Sequence, residues 1–408
     1  MTPIIFSRFC RAFVAALLVF AAFEFLPQAQ AVAIVDRTPN KPGEVWTAIT
    51  TPQAIPRRPS IIFIQCHGLA RGDLSCYGQT NFQTPNLDRL AAGGVRCTHY
   101  TGGADSAATT EQLLAGKNSP LAEGEANLAQ RLRAAGYRTG LIGEWSLAGQ
   151  PWTRGFDEFA GFLDDAEGIN YFSDFVWRYA PKSILDGTNL TLADYTGKEQ
   201  IYPNLGGKKG QYLPELLVNA MDNFIRINTP DAANHWRPFF LLVDFSAPRT
   251  ATAGADDYPV PSDAPFTDEK WPQAAKNRAA LITRLDGGIG RLFEQLGKSK
   301  MTNNVAIFFT SSAAPEKFAN TNLNFLLPAG DFRAAEKTAP LPMIVNWPEK
   351  IPAGRVSDAP WSAVDFAPTA LEIGYLKPVT NFAGISVLPV LTGKLGKIAP
   401  DSTQPLIP

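Results

Sequence analysis

Short, almost wholly apolar runs recur along the chain, at Ile61-Ile62-Phe63-Ile64, Thr139 to Gly143, Phe239 to Val243, Val305 to Phe309 and Met343-Ile344-Val345. They lack the alternation of a half-solvated strand and match strands covered on both faces, as in a parallel sheet. The stretches between them carry helical period. Thr84 to Gly93 offers Thr84 as an acceptor for the free N–H groups, Pro85 for the first helical position and Gly93 for a left-handed close. Leu128 and Leu132 share a face of a helix stopped by Gly136, Pro214 to Ile227 carries its proline in the first turn, and Ala279 to Leu296 is a further helix. Strands alternating with helices predict an α/β fold: a doubly wound, mostly parallel sheet with helices on both faces.

Residues 32–57, rich in Pro, Thr and Ala, read as an N-terminal arm or linker. The α/β domain is expected over 58–395, with a loop-rich elaboration at about 164–236 and a tail at 396–408. The first residues have another texture. Arg8 and Arg11 precede an apolar run from Ala12 to Phe23, and Ala29-Gln30-Ala31 supplies small residues at a cleavage site, so 1–31 reads as a secretory signal peptide. That run is shorter than the roughly 20 residues needed to cross a bilayer, and Glu24 interrupts it. The expectation is therefore an exported chain, periplasmic or secreted, with no membrane attachment after cleavage. Cys66, Cys76 and Cys97 remain, an odd set that allows at most one internal disulfide.

The 408 residues hold 37 Lys plus Arg against 38 Asp plus Glu, a formal charge of −1. No overall positive field draws in nucleic acid, and no basic run stands out along the sequence, so no nucleic-acid partner is expected. In open α/β sheets ligands bind beyond the carboxyl ends of the strands. The groups to weigh are thus Gln65-Cys66-His67-Gly68, Glu144-Trp145-Ser146, Ser246-Ala247-Pro248-Arg249 and Ser311-Ser312-Ala313-Ala314.

With these blocks in view, the chain resembles the sulfatases of the alkaline-phosphatase superfamily. Arg58 to Ile64, Gly72-Asp73-Leu74-Ser75-Cys76-Tyr77-Gly78 and Thr84 to Ala91 are similar to the family's opening, in the right order. Gly136 to Gly143 with Trp145, Gly155-Phe156-Asp157 with Gly161-Phe162, Leu341-Pro342 through Trp347-Pro348, Val364 to Thr369 and Leu388 to Gly393 resemble its later blocks. The resemblance implies a formylglycine nucleophile made from Cys or Ser. It also implies a divalent cation, usually calcium, held by three Asp and one Asn, and Lys and His side chains that bind the sulfate and protonate the leaving group.

Position by position, this sequence departs from that set. Ser106 falls at the formylglycine position, but Thr110 replaces the Arg that orients the aldehyde hydrate. His67 and Gly68 replace the paired Asp, and Ser312 and Ala313 the Asp-Asn pair, so no cation site is expected there and no cofactor. Among the sulfate-binding positions Glu144 and Asp331 replace Lys, while Ser146 and Arg249 replace His. Loss of one oxyanion donor alone costs about 10²–10³ in rate. Without a base or metal beside it, Ser106 reads as a residue at a helix N-terminus. A zinc cluster from Cys66, His67, Cys97 and His99 has no standard spacing, and buried Cys is usually a small apolar filler. His235, beside Trp236, has no assignable role. Arg249 and Glu144 are expected to pair across the pocket.

The family's small C-terminal antiparallel subdomain is expected to be largely missing, since little sequence follows Leu388 to Gly393. Asn189-Leu190-Thr191 matches a glycosylation acceptor, a tripeptide too common to decide anything. The sequence thus predicts a catalytically inactive, sulfatase-like protein with a binding or scaffold role toward a polysaccharide or a related active sulfatase. The rival is a hydrolase of sulfate esters with a residual or rebuilt active site.

Overall fold

Alternate residues of one apolar strand serve two different cores. The computed structural model describes residues 57–394 apart from 123, 181–194, 250–257, 316–325, 327–339 and 378. Strand β1 (Ser60–His67) is buried along its whole length. Its Ile62 and Ile64 belong to the core covered by helices α1 (Pro85–Ala92), α4 (Leu213–Ile227) and α5 (Gln273–Lys298). Ile61 and Phe63 point the other way, into the core formed with α2 (Ser106–Ala115), α3 (Leu128–Ala134) and α6 (Phe366–Ile373). Neither face of β1 meets water, which is why its sequence does not alternate.

Around β1 stand β7 (Phe239–Phe245) and β8 (Val305–Ala313), both parallel to it. β3 (Arg138–Glu144) and β4 (Glu158–Phe162) continue the parallel part beyond β7. β5 (Phe175–Ala180) and β6 (Tyr195–Gln200) then extend that edge as antiparallel strands. On the other flank β9 (Leu341–Asn346) runs antiparallel between β8 and β2 (Val95–Thr101). The short β10 (Arg355–Ser357) and β11 (Trp361–Ser362) pair with β2. Among the described residues this is an eleven-stranded sheet, ordered β10-β2-β9-β8-β1-β7-β3-β4-β5-β6 with β11 off that path. The predicted mixed α/β architecture, mostly parallel and helix-covered, is observed.

Several local expectations change. The region 164–236 is not only loop, because β5 and β6 lie within it, and β2 and β4 are further strands that the apolar pattern did not signal. β6 is largely exposed, so edge hydrogen bonding rather than burial defines it. β8 runs on to Ala313, which puts Ser311 and Ser312 inside the strand rather than after it. The Thr84 side chain does not cap α1; it accepts from Ser75 N at 3.0 Å. Asp286 of α5 caps this helix instead, accepting from Leu87 N at 2.8 Å and Asn86 N at 3.2 Å. Gly93 is right-handed at φ −82, and its missing side chain leaves room for Asn346, whose Nδ2 would stand 2.6 Å from a Cβ there.

One buried ion pair ties the strand ends together. Arg278 of α5 and Asp73 are each about 1% exposed, with Nη2 2.6 Å from Oδ2. The guanidinium also donates to Gly68 O at 3.2 Å and Pro248 O at 3.3 Å, so it holds the turns that follow β1 and β7. Asp73 in turn accepts from Ala70 N at 2.7 Å. Burial opposes the charge on Arg278, but Asp73 and Tyr258 together outweigh it and hold the guanidinium above its ordinary range. Breaking such a pair from one side costs about 3–5 kcal/mol. Arg278→Met is therefore expected to lower unfolding free energy by about that amount in urea titration, and Asp73→Asn by a similar amount.

Candidate functional site

The turns held by Arg278 open beside a pocket built from the carboxyl ends of β1, β3, β7 and β8 and the N-terminus of α2. His67 ends β1, with its backbone N–H donating to Ala247 O at 3.1 Å. Gly68 follows in a left-handed turn at φ +78, a conformation that side-chain-bearing residues rarely adopt. Glu144 ends β3, and the next residue, Trp145, is fixed by its N–H to Phe162 O at 2.9 Å and its indole to Gly149 O at 2.7 Å. Ser146 is half-buried behind it.

Glu144 and Arg249 meet as the sequence predicted. Arg249 Nη2 stands 2.9 Å from Glu144 Oε2, with the two side chains 12% and 3% exposed. His67 Nδ1 lies 3.8 Å from the other carboxylate oxygen. The segment before β5 closes over the pair. A Cβ on Gly168 would stand 2.5 Å from Glu144 Oε2, so only glycine leaves room for that carboxylate. Gly168 O accepts from Ser246 Oγ at 2.6 Å, and the buried Tyr171 hydroxyl donates to Arg249 O at 2.5 Å.

Hydroxyls fill the other half of the pocket. Ser106 is the first residue of α2, not its cap, since Asp105 accepts from Ala108 N at 2.8 Å. The Ser106 and Ser312 hydroxyls are hydrogen-bonded to each other, and Ser312 Oγ also donates to Cys66 O at 3.2 Å. Thr110 faces away from any nucleophile role. Its hydroxyl donates to Ser106 O at 3.0 Å and accepts from Gln65 Nε2 at 2.8 Å. The same Gln65 amide donates to the buried Asp244 carboxylate at 2.6 Å. Asp244, Gly168 and Tyr171 were not singled out from sequence. A single acid inside the apolar run of β7 was the available signal for the first of them.

The cation that the family resemblance implies does not fit these residues. At its four positions stand an imidazole, a glycine, a hydroxyl engaged with Ser106 and Cys66 O, and the methyl of Ala313, whereas a hard cation needs several oxygen donors. Among the described residues no group of three or more His, Cys, Asp or Glu is gathered as a metal site. Cys66 and Cys97 lie on β1 and β2, with β8 and β9 between them, which is about 14 Å at one strand spacing per step. They cannot share a zinc ion, and His99 instead contacts Thr98 Oγ1 at 2.8 Å from an exposed position. Asp331 and Asn189-Leu190-Thr191 lie outside the described residues.

The sulfatase family model matches residues 59–374, and the chain belongs to the sulfatase family. N-acetylgalactosamine-6-O-sulfatase of Bacteroides thetaiotaomicron is 27% identical over 369 residues, which cover 72% of this chain and 68% of that protein. Human arylsulfatase A is 26% identical over 386 residues, 86% of this chain and 71% of its own. A solved structure of Ps i-CgsB in complex with k-i-k-neocarrahexaose is similar with a TM-score of 0.63 at 26% identity, covering 82% of this chain and 76% of that one.

Two predictions follow from the geometry of the pocket. The first concerns the ion pair. Glu144→Gln leaves Arg249 without its carboxylate, and Glu144→Lys sets two cations together, so the second variant is expected to be the less stable. Arg249→Ala and Glu144→Ala are expected to couple by at least about 1 kcal/mol in a double-mutant cycle read by urea unfolding. The second concerns the free thiols Cys66, Cys76 and Cys97. Burial pushes the Cys76 and Cys97 thiols up to about 12 and raises Cys66 further, so all three stay protonated at neutral pH. Native protein is expected to alkylate slowly at pH 8 and to yield all three thiols once denatured.

Proposed function

We propose that this chain is an exported member of the sulfatase family that has lost ester hydrolysis and acts as a binding protein for a sulfated polysaccharide. The observation that carries the loss of turnover is the buried Glu144–Arg249 pair. The two residues stand at positions where the family places the cations that hold sulfate. Arg249 keeps a positive charge, but Glu144 consumes it. A sulfate ester docking there would have to separate a buried ion pair, which costs about 3–5 kcal/mol, or more than a hundredfold in affinity. Nothing at His67, Gly68, Ser312 or Ala313 supplies the carboxylates for a cation that would offset this. Ser106 is engaged with Ser312, and at the position where an Arg would orient a hydrate Thr110 instead bonds the Ser106 backbone carbonyl and Gln65.

The polysaccharide half of the reading is supported by the names of the relatives, an N-acetylgalactosamine-6-O-sulfatase and a protein solved with a neocarrahexaose. The signal-like residues 1–31 support export. The rival, a hydrolase with a rebuilt site, draws on the contact between His67 and Glu144 beside two serines.

Purified mature protein is expected to give no turnover of aryl sulfate or aryl phosphate esters with calcium, magnesium or zinc. The peptide containing Ser106 is expected to keep the mass of unmodified serine. Metal-dependent hydrolysis abolished by Ser106→Ala, or formylglycine at residue 106, would overturn the reading in favour of the enzyme.

A further inference from the structure

The opposite end of the sheet carries a feature that no run of sequence announces. At the amino ends of β1, β3 and β7, strands of seven or eight residues and therefore about 25 Å from the pocket, the arginines Arg57, Arg58, Arg133, Arg138 and Arg237 come together with Trp236. They are drawn from widely separated segments and meet around the turn after α3. Arg58 Nη1 donates to Ala135 O at 2.6 Å, Arg237 Nε to Gly136 O at 2.8 Å and its Nη2 to Tyr137 O at 3.2 Å. Part of this is plainly structural, since cations suit the C-terminus of a helix. Each guanidinium nevertheless has five donors, and these bonds use one or two of them.

The acids nearby are already committed. The buried Asp157 carboxylate is 2.8 Å from Arg133 Nε and 3.9 Å from Arg138 Nη1. Glu158 accepts from Asn228 Nδ2 at 2.8 Å, and Asp231 from Asn234 N within its own loop at 3.0 Å. Arg237 lies below the ordinary range of a guanidinium because it is partly buried and because Arg138 and Arg133 crowd it. An added anion would relieve that repulsion.

Trp236 is the second, independent feature. It is 46% exposed, large for an indole with no partner element over it, and it sits with His235 in consecutive left-handed conformations, φ 56 and φ 51. Such non-glycine residues cost of order 1–3 kcal/mol each and persist only where surrounding bonds over-determine them. Here Trp236 N donates to Asp231 O at 2.7 Å, and the Asn234 amide donates to Ile227 O and Thr229 O, both at 2.9 Å. The result is a fixed indole at the surface with the Arg57 guanidinium 3.4 Å from its ring centroid.

We infer that this pole is a binding site for a sulfated glycan, with guanidiniums pairing to sulfate oxygens and the indole face of Trp236 packing on an adjacent sugar ring. Arg forks match the oxygens of a tetrahedral anion, and a single rigid aromatic platform suits one sugar. Nucleic acid is the less favoured occupant, because nonspecific strand binders line stacking aromatics along a continuous basic track, whereas here the Asp157 carboxylate sits between Arg133 and Arg138. The inference deepens the glycan-binding reading above and does not depend on the loss of turnover.

The test uses the full mature protein with dextran sulfate, unsulfated dextran of equal length and duplex DNA, measured by calorimetry across a salt series. Dextran sulfate is expected to bind with affinity falling steeply as salt rises, and dextran not to bind. Arg57→Ala combined with Trp236→Ala is expected to weaken binding roughly tenfold or more, with the circular-dichroism spectrum unchanged and thermal unfolding lowered only modestly, since Trp236 is 46% exposed. Arg133→Ala gives an independent loss if the site is here. Equal binding by the double variant overturns the inference, as does duplex DNA bound as tightly as dextran sulfate. If Arg249→Ala abolishes binding while the Arg57/Trp236 variant does not, the glycan sits at the old pocket, and this inference fails while the glycan-binding reading stands. If the intact protein binds no sulfated dextran at any salt, the glycan-binding reading itself falls.

Discussion

One buried guanidinium organises the functional end of this fold. Arg278 reaches from α5 to Asp73 and to the carbonyls of Gly68 and Pro248, so the turns after β1 and β7 share one anchor. Those turns carry His67 and Arg249, and their placement against Glu144 follows from it. A buried ion pair adds little net stability compared with a well-packed apolar core, yet it specifies geometry, because its partners have no equivalent elsewhere in the interior. The anchor fixes the two turns, and His67 and Arg249 are what they present toward Glu144.

The strand ends show how opposite charges can be buried side by side. Glu144 and Arg249 occupy volume and satisfy each other, Gly168 and Tyr171 wall them in, and Ser106 and Ser312 complete the polar lining with Cys66 O. No isolated charge is stranded, which is the condition for keeping polar groups inside a core. Gln65, Thr110 and Asp244 form a second buried network beneath, and it continues the polar seam along the sheet.

What the sequence made legible was whatever burial alone dictates. β1, β7 and β8 sit at the middle of the sheet with both faces covered, so Ile61 to Ile64 and its counterparts announced themselves. Strand-end positions then followed from the architecture, and the Glu144–Arg249 contact from the resemblance to the sulfatases, which put both residues beside one pocket. What stayed hidden depends on long-range partners. β6 is an exposed edge strand whose sequence carries no apolar pattern, and α1 is capped by Asp286 from a helix nearly two hundred residues away. The arginine pole escaped for the same reason: its members are charges dispersed along the chain, and only the turn at Gly136 brings them together.

The left-handed turn at Gly68 governs which side chains this strand end can carry. An aspartate placed there would have to adopt φ +78, beside a neighbour, His67, whose ring nitrogen lies 3.8 Å from Glu144. Building a cage of carboxylates at this end of the sheet would thus require several concerted replacements, each unfavourable until the others arrive. Backbone and neighbouring charge thus resist acidic replacements here jointly, so that the local cost of any one of them depends on the rest.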